Sequence, residues 1–273
     1  MIKENNYKKI KVISTQGLNR EVRAIRFVFV DKDDAKKFSF ELGSFIMVSI
    51  PGYGESPLTI TTSPSQLPEF EIAVKTTGNT TTAINRLKVG DIAYLRGPFG
   101  KGIDFSKIYG RELVIIGGGI GIAPLRAIIQ YISENTDLIS HLTIIHSAKT
   151  PEDLLFKSEL SKWSKFADVH VIVDKADSGW NGEKGYIPKI LDKIDIETNA
   201  TALLCGPSAM YNSIIASLLK KRLQKNNILM MLERKMHCGI GKCQHCTCGN
   251  KYVCLDGPTF RYSEIENNWE VQK

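Results

Sequence analysis

Leu113-Val114-Ile115-Ile116 runs straight into Gly117-Gly118-Gly119-Ile120-Gly121-Ile122-Ala123-Pro124, and few folds accommodate that junction. A short, fully apolar run reads as a buried parallel strand. The glycines behind it permit a tight turn and a close backbone approach. Pro124 suits the first turn of a helix, where its missing N–H is not needed, and a helix is expected from Leu125 to Ile132. Strand, glycine loop and helix in that order bring backbone amides up to a pyrophosphate. The third glycine of the G-x-G-x-x-G form is absent, because Ala123 and Pro124 stand in its place.

The pattern continues downstream. Strands are expected at Leu142 to His146, Val169 to Val173 and Ala202 to Cys205, with helices around Leu154 to Trp163 and Ser208 to Leu219. Alternating strands and helices predict a doubly wound parallel-sheet nucleotide-binding domain, whose ligand sits at the C-terminal strand ends. Cys205-Gly206-Pro207 occupies one such end; taken alone, Cys205 reads as a small buried hydrophobe.

The first hundred residues have a different period. Ile25, Phe27 and Phe29 alternate with Arg26 and Val28, and Phe70, Ile72 and Val74 alternate with Glu71, Ala73 and Lys75. Turns are expected at Asp31-Lys32-Asp33-Asp34, Pro51-Gly52-Tyr53-Gly54, Ser63-Pro64-Ser65 and Lys88-Val89-Gly90-Asp91. Short strands at such spacing predict a small antiparallel β-barrel. One helix is expected near Thr82 to Leu87, after the Gly78-Asn79-Thr80-Thr81 loop. That loop suits phosphate oxygens, although hydroxyl-rich loops also simply cap helices.

Near the C-terminus Cys238, Cys243, Cys246 and Cys254 follow a C-x4-C-x2-C-x7-C spacing. The x4, x2 part is the plant-type ferredoxin spacing, whose thiolates hold a [2Fe–2S] cluster. Gly239 and Gly241 let the linkers turn sharply. Zinc is the rival, since Cys243 and Cys246 form a C-x2-C pair and Cys248 or His245 would complete a set of four. With four thiols already counted, Cys248 is read as a neighbour without a ligand role. His141, His146 and His170 sit at or beside strand positions and are read as structural; His237 and His245 flank the cysteines in a tuning or surface role.

The 273 residues allow two compact domains and a small extra module. The boundaries are expected as a barrel over 1–107, a nucleotide-binding domain over 108–230 and a cluster module over 231–273. The formal charge of +7 does not predict nucleic-acid binding, because its densest run is only Lys220, Lys221, Arg222 and Lys225. Anionic cofactors or an acidic partner use the same charge. No apolar stretch is long enough for a membrane span. Met1-Ile2-Lys3-Glu4-Asn5-Asn6 leads into no apolar segment, so a cytoplasmic location with reduced thiols is expected.

Six ordered motifs carry a family resemblance over nearly the whole chain. They are Gly54-Glu55-Ser56-Pro57-Leu58-Thr59-Ile60, Gly78-Asn79-Thr80-Thr81-Thr82-Ala83-Ile84, Arg96-Gly97-Pro98-Phe99-Gly100-Lys101-Gly102, the Gly117 to Arg126 loop, Cys205-Gly206-Pro207, and Glu233 through Phe260 with its four cysteines. The chain resembles the ferredoxin-NADP reductase-like flavoproteins. Within them it is most similar to the iron–sulfur electron-transfer subunits of anaerobic sulfite reductase, of soluble sulfhydrogenase (its gamma chain) and of dihydroorotate dehydrogenase.

The resemblance implies FAD, NAD(H) with NADP(H) as the alternative, and a [2Fe–2S] cluster. Ser56, Pro57, Leu58 and Thr59 would form the flavin strand, while Ala73, Val74, Lys75, Gly78, Thr80 and Thr81 would line the rest of the FAD. Gly118, Gly119, Gly121, Ile122 and Ala123 would hold the dinucleotide, with Cys205, Gly206 and Pro207 near the nicotinamide. Cys238, Cys243, Cys246 and Cys254 would be the iron ligands. The family's Arg-x-Tyr-Ser flavin strand has Ser56 in the Arg place and Leu58 in the Tyr place; the Glu-small-Pro form is a mark of the sulfite reductase and hydrogenase subunits. Electrons would pass from NAD(P)H through flavin and cluster to a separate catalytic redox subunit, so no general base or nucleophile is expected.

The x7 gap resembles the sulfite reductase subunit most, which implies a sirohaem subunit or a ferredoxin-like subunit as partner. A hydrogenase or a dihydroorotate-oxidising subunit is the alternative partner. A zinc-binding interaction module on an inactive reductase fold is an alternative of another class. Lys149 would suit a 2′-phosphate and Asp153 a free ribose hydroxyl; with no arginine cluster there, NADH is favoured.

Overall fold

The protein is described by a computed structural model over residues 6–269. The expectation of a cytoplasmic location rests largely on the opening residues, of which 1–5 lie outside the described ones. Among the described residues, no helix is long and apolar enough to cross a membrane. The described residues form two compact units: 6–103, 126–131 and 233–258 in the first, 104–125, 132–232 and 259–269 in the second.

The first unit is built on an antiparallel barrel of β1 (Lys8–Gly17), β2 (Val22–Phe29), β3 (Phe45–Ile50), β4 (Gly54–Leu58), β5 (Glu69–Lys75) and β6 (Ile92–Phe99), in the order β4-β3-β6-β1-β2-β5. An antiparallel bridge between Ile60 and Ile72 returns the end of β4 to β5 and closes the sheet. Residues Ile25, Phe27 and Phe29 face the core as the alternation predicts, with Phe27 and Phe70 fully buried and their ring centroids 5.7 Å apart. Each such ring removed from water contributes roughly 1.5–3 kcal/mol.

β5 departs from simple alternation, because Glu71 and Ala73 on the opposite face are buried too. Glu71 tolerates burial by accepting a bond from Arg126 Nη1 at 3.0 Å, with Arg26 Nη2 at 3.6 Å. Asp31, expected within a turn, instead caps a short helix α1 (Lys32–Lys37), accepting the Asp33 and Asp34 amides. Helix α2 (Asn79–Asn85) begins three residues before the expected start. Thr81 Oγ1 accepts the Thr77 and Gly78 amides at 2.9 and 3.0 Å, which satisfies donors that would otherwise delay the helix.

The second unit holds a seven-stranded sheet. In chain order it is composed of β7 (Glu112–Gly118), β8 (His141–Ala148), β9 (Asp168–Val173), β10 (Glu183–Lys184), β11 (Thr201–Cys205) and β12 (Ile228–Met231). Two short strands, β13 (Thr247–Cys248) and β14 (Lys251–Tyr252), pair separately in the cysteine segment, and β15 (Thr259–Arg261) then joins the large sheet. The order is β10-β9-β8-β7-β11-β12-β15, parallel except for the antiparallel edge β15. From β7 the chain winds outward through β8 and β9 on one side and through β11 and β12 on the other. The direction of winding reverses between β7 and β11, which is the switch point of a doubly wound sheet. Helix α3 (Ile122–Glu134) starts earlier than expected, directly behind a 3-10 turn at Gly119–Gly121, with Pro124 in its first turn. Helices α4 (Lys157–Trp163), α5 (Ile187–Leu191) and α6 (Ser208–Lys220) follow.

Candidate functional site

At the switch point, Cys205 at the end of β11 is in register with Gly117 of β7. The glycine loop and Cys205-Gly206-Pro207 therefore meet. A Cβ on Gly121 would lie 2.2 Å from the Cys205 carbonyl oxygen, and Cβ atoms on Gly118 and Gly206 would lie 2.5 Å from Met210. At Gly121 the neighbour is backbone and only glycine permits the approach, whereas the Met210 side-chain end facing Gly118 and Gly206 is free to shift. Gly119, at φ +55°, has open space where its side chain would be. Backbone amides at a helix start, reached without side chains in the way, fit a dinucleotide pyrophosphate. Ile122, Ala123 and Cys205 are buried, so they shape this cradle by packing. Met210, which backs the cradle, carries no sequence signal beyond its place in the first turn of α6.

His146 lies beneath the loop on β8, fully buried. Its Nδ1 is 3.5 Å from the Gly117 carbonyl oxygen, and its Nε2 accepts the Leu155 amide at 3.3 Å. Burial lowers its pKa to about 4. A neutral imidazole with both nitrogens engaged is structural, as expected from its strand position. His141 pairs with Asp168 at 3.1 Å on a half-exposed edge.

In the first unit, β4 is an edge strand, which is where Pro57 is tolerated without its N–H. Ser56, Pro57, Leu58 and Thr59 are half-buried and leave an accessible wall. Thr80 Oγ1 donates to the Tyr53 carbonyl at 2.7 Å, so the start of α2 is tied to the start of β4. Gly78 opens on free space. The wall and the loop together fit a flavin nucleotide. Val74 is part of the barrel core and offers only backbone, and the Thr81 hydroxyl is committed to the loop that it shapes. Lys75 is exposed and pairs with Glu21 at 2.8 Å.

The four cysteines are neighbours: Cys243 adjoins Cys238, and Cys254 adjoins Cys246 with Cys238 near enough to act on it. Amides point at the sulfurs: Gly241 N–H donates to Cys254 Sγ at 3.1 Å, and the Ile240 and Cys243 amides to Cys238 Sγ at 3.4 Å. Gly239 and Gly241, at φ +75° and +76°, turn the loop so that these amides face inward. The Cys243 thiol is lowered to about 7, first by the His245 amide. Burial pushes the Cys254 thiol up to about 12, with the neighbouring Cys246 adding to it.

Among the described residues, no three His, Cys, Asp or Glu side chains converge on one point as a single metal ion requires. Four neighbouring thiols with amides turned toward them suit an iron–sulfur centre. The residues considered as zinc substitutes point elsewhere: Cys248 bonds Arg234, and His245 Nδ1 lies 3.1 Å from the Cys243 carbonyl, its ring edge-on to His237.

A closed flavin-type barrel, a glycine cradle at a parallel-sheet switch point and four neighbouring thiols define an oxidoreductase of the flavin- and pyridine-nucleotide-dependent class. Family models match accordingly: an oxidoreductase FAD-binding domain over residues 9–103, an oxidoreductase NAD-binding domain over 115–215, and the iron–sulfur cluster binding domain of dihydroorotate dehydrogenase B over 233–266. The sulfhydrogenase 1 gamma subunit of Pyrococcus furiosus is 36% identical over 94% of this chain and 91% of its own. A probable dihydroorotate dehydrogenase B electron transfer subunit of Thermococcus kodakarensis is 32% identical, covering 95% and 98%. The fold matches the structure of an NADH-dependent reduced ferredoxin-NADP oxidoreductase, with a TM-score of 0.77 at 24% identity over 95% of this chain and 90% of that one. The chain belongs to the family of ferredoxin-NADP reductase-like iron–sulfur flavoprotein electron-transfer subunits. It is an NAD(P)H-dependent redox subunit with FAD, NAD and iron–sulfur binding domains.

Proposed function

We propose that this chain takes electrons from NADH and passes them singly, through a [2Fe–2S] cluster held by Cys238, Cys243, Cys246 and Cys254, to a separate catalytic subunit. The observation that carries this reading is the set of backbone amides turned onto the Cys238 and Cys254 sulfurs within the four-cysteine segment. When bound, the flavin supplies the conversion of a hydride's electron pair into single electrons. The chain's own residues bind and orient. The Gly118, Gly119 and Gly121 backbone with Cys205, Gly206 and Pro207 forms the dinucleotide cradle. Ser56 to Thr59, with Ala73 to Lys75 and the Gly78 to Thr81 loop, forms the flavin wall. The functional segments are 1–107, 108–230 and 231–273.

For the acceptor, identity across nearly the whole chain outweighs one loop length. A sulfhydrogenase-type catalytic subunit is therefore the first reading, supported by the 36% relative. The x7 spacing before Cys254 favours the second, a sirohaem sulfite reductase subunit. Purified chain is expected to show flavin bands and a broad iron–sulfur shoulder that NADH bleaches faster than NADPH does. A colourless protein containing zinc would refute the electron-transfer reading. Reconstitution with each catalytic subunit, scored by hydrogen evolution or sulfite consumption, identifies the acceptor.

A further inference from the structure

The end of β6 touches the thiol loop at two places. Arg96 is only 4% exposed, yet carries a full positive charge. Its Nε donates to Glu55 Oε2 at 2.9 Å and its Nη2 to Glu55 Oε1, a forked pairing. Both Nη atoms also lie 3.3 Å from the Cys238 carbonyl oxygen. The Phe99 ring packs against the guanidinium, 5.3 Å from its centre. Four positions further on, the Gly100 amide donates to the Cys254 carbonyl at 3.0 Å. The first and fourth cysteines are thus both held through their carbonyls by one short stretch of barrel.

We propose that Arg96, fixed by Glu55, is a positioning residue that sets the reduction potential of the iron–sulfur centre through Cys238. The inference rests on the cluster reading above. A buried cation beside a ligating residue favours the state carrying the extra electron, since little solvent is present to screen it. Glu55 offsets part of that charge. Removing Arg96's charge therefore lowers the potential, and removing Glu55's charge raises it. A brace acting by shape alone has no reason to give shifts of opposite sign.

The test is a potentiometric titration, followed by electron paramagnetic resonance, of the full flavin- and iron-loaded chain, with iron and sulfide counted in each sample. Arg96→Gln is expected to lower the ratio of reduced to oxidised cluster about tenfold at fixed potential, a shift of about 59 mV for one electron. Glu55→Gln is expected to shift it the other way. Arg96→Lys keeps the charge and should recover most of the difference; with Glu55→Gln it decides the matter if Arg96→Gln fails to load iron. Unchanged potentials, or shifts of one sign, in iron-replete variants overturn the inference alone. A wild-type chain that takes up no iron and sulfide overturns the cluster reading and this inference with it.

Discussion

The two candidate sites are built in opposite ways. The dinucleotide cradle is made of backbone: a strand end, glycines and a helix start close together in sequence, met by the Cys205-Gly206-Pro207 turn that the sheet register brings alongside. The thiol site is made of side chains on a loop with almost no regular structure, steadied by groups far away in sequence; Arg96 and Cys238 are 142 positions apart. A backbone site is secured by the fold that generates it. A loop site needs separate braces, and each brace is a place where its chemistry is adjustable.

The sharpest way to separate the two is Cys243→Ser. It should abolish the cluster and all delivery to the acceptor, while NADH still bleaches the flavin at close to the wild-type rate. Wild-type delivery by that variant would break the relay order. The mirror experiment is Gly121→Ala. Its added methyl would overlap backbone of Cys205 and Gly206, which yields little, so a cost of about 3 kcal/mol is expected at the cradle. Flavin reduction by NADH should slow more than tenfold, while dithionite still produces an unaltered cluster signal. An altered cluster signal would show that the sites are not built independently.

The smallest effect at neutral pH concerns His146. Its folded pKa, about 4, lies below the unfolded value of about 6.5, so the unfolded chain binds the proton first as pH falls. Stability contributed at neutral pH is lost between about pH 6.5 and pH 4, reaching about 3 kcal/mol, and then levels off. Urea midpoints of the wild type and His146→Gln should converge as the pH is lowered over that window. Parallel curves would show that the buried imidazole is not responsible.

The same contrast governs what is legible in the sequence. Local signals were sound: the Leu113–Ile116 run, the glycines, Pro124 and the β2 alternation each describe a structure made by neighbours. Non-local effects escaped it. Glu71 reads as an outward residue of β5 until Arg126 covers it. The Gly78-Asn79-Thr80-Thr81 stretch reads as a loop ahead of the helix until the Thr81 hydroxyl is seen drawing the start of α2 back to Asn79. Arg96 stands in full view within Arg96-Gly97-Pro98-Phe99-Gly100, but its role depends on Glu55 and Cys238. No spacing rule brings those residues together. Cysteine spacing alone names the thiols, and the amides turned onto Cys238 and Cys254 came only with the folded loop.

β12 and β15 are neighbours in one sheet, with Met231 opposite Thr259. Residues 232–258 therefore leave and re-enter the sheet at the same edge, as an enlarged hairpin turn. A segment whose two ends are already pinned side by side adds little closure entropy however long it grows. That makes it a graftable cassette as far as the strands are concerned: what limits a change in its length is the hold of Arg96 and Gly100 on Cys238 and Cys254, not the sheet that carries it.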